Sequence, residues 1–416
     1  MKIRELRQHP ACITALMMLL YAFSNGIQYI GYNHIPLFIS SQSFANDSTI
    51  GYATAIGSVA TIVAQLFWGR VADRSRSKNV VLAVALLGMS LSALFFWQDM
   101  PSARFLFLVM PVFYFFFLAP QSMSDTICIE NIDKTGKPFA FVRSAAPICS
   151  TTLAFLMVIF PNISVKTMIV IYTICPLIAI LPALLLPKTE GHLRKGSAQR
   201  TGSGSVLSLF RNRKMLLLLA FGLFGFTFGN IPTTYFSVYY STARGLNAGT
   251  GMLGLFFTIT IAIESGILIL GGKTIRKFSP YSILAFLLVS NAVRMFLIYL
   301  IQNPYLMLIT AVFQAIWFGL IFSTATPLIN SIVDPENRAT GQSLWVLTAF
   351  GISQITGNLL AGVLADVLSL RQIFLVASIG FVVLFFVLGP LLLRQGRLDQ
   401  RERGKSGEPA AAKAGS

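Results

Sequence analysis

Glu264 and Arg294 are ionisable residues set inside long apolar runs, and that setting demands a chemical reason. A charge at the centre of a hydrocarbon layer costs at least ~2.5–3.5 kcal/mol on insertion scales. Glu264 lies about eight residues, roughly 12 Å of helix, from the nearer end of its run. A carboxyl withdrawn from water is suited to taking up and releasing a proton, which is one reading of Glu264. The other is a permanent structural pair, with Arg294 as partner. Arg294 lies about fifteen residues into its own run, nearer the opposite side, so a direct pair requires tilt or a kink. A second candidate acid–base couple, Asp125 and Arg143, is separated by eighteen residues and lies near the ends of its two runs. The planar donor fork of Arg143 could bind ligand hydroxyls together with Asp125. An interfacial ion pair or a snorkelling arginine uses the same residues structurally.

Uncharged polar residues form a further pattern. Asn25, Gln28, Tyr29, Tyr32 and Asn33 fall at i, i+3, i+4, i+7 and i+8, one face of a helix, and His34 extends that face outward. Amides and phenols supply donors and acceptors without charge, and the rings can stack on a sugar or an aromatic ring. Similar groups recur later as Thr227, Asn230 and Thr234, as Gln314 and Trp317, and as Gln354 and Asn358. Together they would line a polar, nearly uncharged cavity between two halves of the chain. Interhelical hydrogen bonding is the competing use.

The elements that must hold these residues follow from composition. The chain has 416 residues, of which 55% are hydrophobic and only 11% charged. Soluble domains carry roughly 25% charged residues, so a soluble enzyme, a disordered regulator and a secreted disulfide scaffold all fit poorly. Runs of about 20 apolar residues recur throughout, each long enough for a hydrocarbon core. Twelve spans are expected near 11–39, 49–69, 79–97, 104–126, 140–161, 166–187, 215–240, 250–271, 280–301, 304–332, 340–363 and 370–393. The first is of spanning length and does not read as a cleavable signal peptide.

The net charge of +17 could suggest nucleic acid, but 27 of the 32 Lys and Arg lie on alternate connections and the termini. The intervening connections hold four, Arg104, Lys166, Arg244 and Arg371. Positive charge on alternate short loops marks the cytoplasmic side, which puts both termini there and accounts for the basic balance through topology and anionic lipid. Cys12, Cys128, Cys149 and Cys175 lie in or beside apolar runs without metal-type spacing and read as reduced, buried small residues. The 35 Phe are lipid-facing and packing bulk. No phosphate-cradling loop, metal cluster or nucleophile–base motif is present in the sequence, so no cofactor and no enzymatic activity are expected.

The fold class is therefore an all-α membrane protein of twelve transmembrane helices in two pseudo-symmetric six-helix bundles. The expected divisions are a bundle over 1–187, a flexible Gly/Ser-rich cytoplasmic linker over 188–214, a bundle over 215–393 and a disordered tail over 394–416. A shift of 203 residues places Gly51 on Gly254, Gly69 on Gly272 and Arg74 on Lys277, which suggests internal duplication.

The segment Gly69-Arg-Val-Ala-Asp73-Arg74-Ser-Arg76-Ser-Lys78 closely resembles the signature of the major facilitator superfamily. In that reading Gly69 permits close packing at a helix end, while Asp73 and Arg74 form a conformational latch. The second-half copy around Gly272 and Lys273 lacks the acidic residue. Within the superfamily the chain resembles the branch of oligosaccharide and nucleoside proton symporters and phenylpropionate permease-like proteins. Pro120, Asp125 and Arg143 match an acidic–arginine pair used around the substrate there, and Glu264, Arg294 and the stretch Gly357–Gly362 before Asp366 match other helices of that branch. The stretch Phe313–Gly319 departs from it, lacking the histidine and carboxylate that lactose permease-like members carry on helix ten.

The resemblance implies a monomeric secondary transporter in the cell membrane, working by alternating access with protons and membrane lipids as partners. The substrate expected is a neutral polar solute: a sugar, an oligosaccharide or a nucleoside. Coupling would run through Glu264, with Asp125 and Arg294. A drug:proton antiporter for amphiphilic compounds is the main alternative, and a non-transporting membrane sensor or scaffold is a further one.

Overall fold

A computed structural model describes residues 9–191, 206–275, 278–334 and 337–406. Among these residues there is no strand, and twelve helices are long and apolar enough to cross a membrane. In chain order they are α1 Pro10–Ser40, α2 Asp47–Arg74, α3 Lys78–Phe96, α4 Ala103–Lys134, α5 Phe139–Ile159 and α6 Val165–Leu185. The others are α7 Arg213–Ser241, α8 Gly249–Leu268, α9 Pro280–Leu300, α10 Pro304–Ile332, α11 Thr340–Val367 and α12 Leu370–Arg401. In lipid every backbone polar group must find a partner inside the protein, so apolar runs of this length become helices. Their starts carry local signals. Asn46 and Thr49 form a reciprocal capping box ahead of α2, Ser102 and Ser164 cap α4 and α6, and proline opens α9 and α10. Large apolar side chains such as Leu66, Leu108, Leu181 and Phe386 stay exposed on the outer surface, as a lipid-facing exterior requires. The chain is a multi-pass membrane protein.

Contacts divide it into two units. The first holds Met1–Thr201 with Gly249–Gly254, and the second holds Gly202–Ala248 with Leu255–Ser416. Within the first, α2 packs on α4, α3 on α6, and α1 on α5. Within the second, α9 packs on α12, α7 on α11, and α9 on α10. The pairs α3–α6 and α1–α5 thus recur as α9–α12 and α7–α11, six helices later, which gives the weak sequence repeat a counterpart in packing.

Three expectations change. The first residues of the predicted flexible linker are strapped to the first unit. Lys78 N donates to Thr189 O (2.8 Å), Thr189 N to Asn79 Oδ1 (2.9 Å), Asn131 Nδ2 to Thr189 Oγ1 (3.1 Å) and Gly191 N to Ser75 O (3.2 Å). The Asn79 amide also reaches Ala183 O at 2.9 Å, so side-chain amides satisfy a backbone that the Gly/Ser content downstream made look free. A short helix, Val206–Arg211, precedes α7. Residues 192–205 lie outside the described residues. The predicted disordered tail is helical to Ser406, continuing α12. Lys214 Nζ pairs with Asp399 Oδ1 at 3.0 Å and Gln395 Nε2 donates to the same oxygen at 3.0 Å, anchoring a stretch of good helix formers. Residues 407–416 lie outside the described residues.

The third change concerns the signature segment. α2 runs to Arg74, so Gly69–Arg74 is helical and the loop is only Ser75–Ser77. A Cβ on Gly69 would meet nothing within 4 Å, so close packing is not what Gly69 provides here. Asp73 makes no hydrogen bond or ion pair among the described residues, and Arg74 is exposed. The side chains around Gly272 and Lys273 lie outside the described residues. On the opposite connection, between α3 and α4, Lys166 and Gln42 hold the Asp99 carboxyl below the usual carboxylate range.

Candidate functional site

In the first unit, α1 is α-helical to Tyr21, makes one π-helical turn over Ala22–Gly26 and resumes over Gln28–Ser40. Single π-turns are rare and concentrate at functional sites. Gly26 sits where α5 comes closest: a Cβ there would lie 2.6 Å from Cys149 Cβ and 2.8 Å from Ala146 O. Ser150 Oγ donates to Gly26 O at 2.8 Å. The first helix of the second unit repeats the device with a π-turn at Phe221–Gly225, where a Cβ on Gly222 would meet Trp345 at 2.6 Å.

The polar face of α1 splits into committed and open members. Gln28 is buried and its Nε2 donates to Phe117 O at 3.3 Å. The reason lies in α4, which breaks at Leu118 ahead of Pro120. A helix end leaves its last carbonyls without ladder partners, and proline removes a donor besides. Thr61 takes Tyr114 O, Trp68 Nε1 takes Phe115 O and Gln28 takes Phe117 O. Asn33 Nδ2 donates to Tyr29 O at 2.8 Å, and the Tyr29 hydroxyl meets Met157 sulfur at 3.7 Å; both residues are buried. His34 is fully buried, its ring edge-on to Tyr29, rather than facing water at a helix end. Tyr32 and Asn25 remain half-buried. The Tyr32 hydroxyl makes no hydrogen bond to the described residues, and its ring stands edge-on to Phe117 at 4.8 Å.

Asp125 and Arg143 do not pair. Asp125 Oδ1 accepts from the Tyr21 hydroxyl at 2.7 Å, and Tyr21 is itself buried. Arg143 is exposed and has no ion pair or hydrogen bond among the described residues. Tyr21 was missed from sequence although it stands four residues before Asn25 on the same face; a tyrosine beside an apolar run is easily read as packing.

In the second unit Arg294 is 4% exposed, yet it makes no ion pair with a carboxylate among the described residues. Its Nη2 donates to Gln314 Oε1 at 2.6 Å, and its Nε is buried without a partner. Arg294 does not pair with Glu264. Glu264 is half-buried and makes no hydrogen bond or ion pair among the described residues. Asn358 is buried and accepts from Thr234 Oγ1 at 2.6 Å, and Thr227 and Thr356 share a hydroxyl contact of 2.7 Å. Trp317 is buried in an aromatic cluster with Phe221, Phe226 and Phe381. Asn230 and Gln354 are half-buried, with no side-chain hydrogen bond among the described residues. No group of three or more metal-ligating side chains occurs among the described residues.

Six helices on each side of a central connection, recurring pairings and charges held inside the spans set the terms for comparison with known proteins. Residues 16–376 match the MFS_1 like family. The chain belongs to that family. It is a transporter of the major facilitator superfamily, a family of transporters rather than enzymes. A maltose permease of Geobacillus stearothermophilus is 23% identical over 369 residues, covering 87% of this chain and 90% of that protein. The crystal structure of the nucleoside transporter NupG matches with a TM-score of 0.76 at 15% identity, covering 91% of this chain and 98% of that one. The inward-open xylose transporter XylE from E. coli matches with a TM-score of 0.64 at 14% identity, covering 91% and 95%. At such identities the solved structures speak for the fold.

Proposed function

We propose that this chain is a secondary active transporter that takes up a neutral polar solute, a sugar, oligosaccharide or nucleoside, together with protons. The observation that carries the reading is the contrast within the second unit: Glu264 is half-buried with no fixed counter-charge among the described residues, while the other open groups, Asn230, Gln354 and Gln314, are uncharged. A carboxyl so placed can be loaded and unloaded with a proton, and neutral amides suit hydroxyl and carbonyl groups of a solute. Its similarity to a maltose permease and to a nucleoside transporter supports the same substrate class. Within the first unit, Tyr32, Asn25 and Arg143 would be the solute-binding groups, with Asp125 held by Tyr21. The distribution of basic residues supports a cell-membrane protein with both termini cytoplasmic, in contact with anionic lipid, and a monomer suffices for this mechanism.

Counterflow in proteoliposomes containing the purified chain tests the proposal. Vesicles preloaded with unlabelled maltose or uridine are expected to accumulate the labelled solute transiently and saturably, and an inward proton gradient is expected to raise uptake. Failure of both solutes, with dyes driving proton efflux instead, would establish drug antiport. Uptake indifferent to pH and protonophores would remove Glu264 from coupling.

A further inference from the structure

We infer that Arg294 acts as a positioning residue that fixes the amide of Gln314, so that this point of the binding surface only donates hydrogen bonds and selects solutes presenting an acceptor and no positive charge. The inference rests on the transport reading above and gives Arg294 a task other than carrying protons.

The amide of a glutamine can ordinarily turn either end toward a ligand, because its oxygen accepts and its nitrogen donates. Here that freedom is removed. The guanidinium has donors only and keeps its charge, so the group facing Arg294 Nη2 at 2.6 Å must be the oxygen. The assignment follows from chemistry, since a nitrogen at that position would set donor against donor. The nitrogen, Nε2, is left with two hydrogens and no hydrogen bond among the described residues. It is also absent from the set of buried side-chain atoms lacking partners, whereas Arg294 Nε belongs to that set. The amide nitrogen therefore stays open, while the arginine behind it is 4% exposed and held by its Nη2 bond to the amide oxygen.

Two consequences follow for a ligand. A carbonyl, hydroxyl or ring-nitrogen lone pair can accept from Nε2, and the hydrogen bond behind it polarises the amide in the favourable sense. A cationic group meets a buried positive charge that no carboxylate among the described residues pairs with, in a medium that screens poorly. The arrangement thus opposes amphiphilic cations and favours neutral or anionic acceptor-bearing solutes. It also gives the stretch Phe313–Gly319, which has no histidine or carboxylate, a use for its glutamine. In this inference Arg294 acts on the solute only through the amide.

The test is a double-variant cycle in proteoliposomes with radiolabelled uridine and maltose assayed separately. Gln314→Leu and Arg294→Leu are each expected to raise KM about tenfold or more, the worth of a polarised hydrogen bond. The double variant should be no worse than Gln314→Leu alone, because the arginine acts through the amide. Arg294→Lys, which still donates to Oε1, should stay within about threefold of the parent. Additive losses would overturn the inference by giving Arg294 its own contact with the solute. A second measurement needs no substrate and survives failure of the transport reading. With the four native cysteines replaced, Gln314→Cys should react faster with a sulfonate-bearing methanethiosulfonate than with its trimethylammonium counterpart. Adding Arg294→Gln should reduce that preference at least about threefold. A preference that ignores residue 294, or a thiol that neither reagent reaches, also overturns the inference.

Discussion

The two units treat an internal acid and an internal arginine in opposite ways. In the first, Asp125 is held by the Tyr21 hydroxyl while Arg143 stands exposed and unpaired among the described residues. In the second, Arg294 is buried against Gln314 while Glu264 is the unpaired member. Each unit thus ties down one charge with a neutral hydrogen-bonding partner and leaves the other available. A closed ion pair would have been inert, since breaking one in a buried setting costs several kcal/mol. A neutral partner fixes geometry without cancelling the charge.

That contrast yields a graded set of expectations. Glu264→Gln should have the largest effect, reducing proton-driven accumulation by more than about tenfold while counterflow survives, because an amide fills the site without carrying a proton. Accumulation unaffected by this variant would break the contrast at its main point. Arg143→Ala should follow, weakening apparent affinity roughly tenfold or more through loss of a charged donor, with Arg143→Lys recovering part of it. Direct binding measurements in detergent would check both. Tyr21→Phe removes one hydroxyl and should shift apparent affinity several-fold, equivalent to about 1 kcal/mol, without unfolding the helix. The smallest change concerns glycine. Gly69→Ala should leave melting temperature and uptake nearly as they are, or raise stability by up to ~1 kcal/mol, since the added methyl meets open space in a helix. Gly26→Ala should lower stability clearly by comparison, because the methyl would strike Cys149 and Ala146. Equal effects of the two would show that α1 and α5 do not pack closely at Gly26 in the membrane.

Much of this was legible from residue order. The span boundaries fall within a few residues of the helices, except where polar residues extend a helix beyond the hydrocarbon, as at Arg74, Lys134 and the end of α12. Hydropathy measures what lipid tolerates and cannot see a helix that continues into water. The face on α1 was legible as a set, but its division was not. Gln28 was recruited by a broken helix eighty-nine positions away, and that demand arises from Pro120 and the backbone around Leu118. Trp317 similarly reads as a ring available for stacking until Phe221, Phe226 and Phe381 enclose it.

The sequence by itself determined that charge is scarce, that its basic share is sorted by side, and that Glu264 and Arg294 need a reason to be where they are. Those properties depend on composition and on distance along the chain, which primary order records. Which partner each charged or polar group takes was decided only in three dimensions. A hydrogen bond is made or lost over less than an ångström, and helices remote in sequence approach within that tolerance only after they pack. The tertiary structure therefore separated Arg294 from Glu264, turned it toward Gln314, and left the carboxylate and the amide nitrogen without a hydrogen-bonding partner among the described residues.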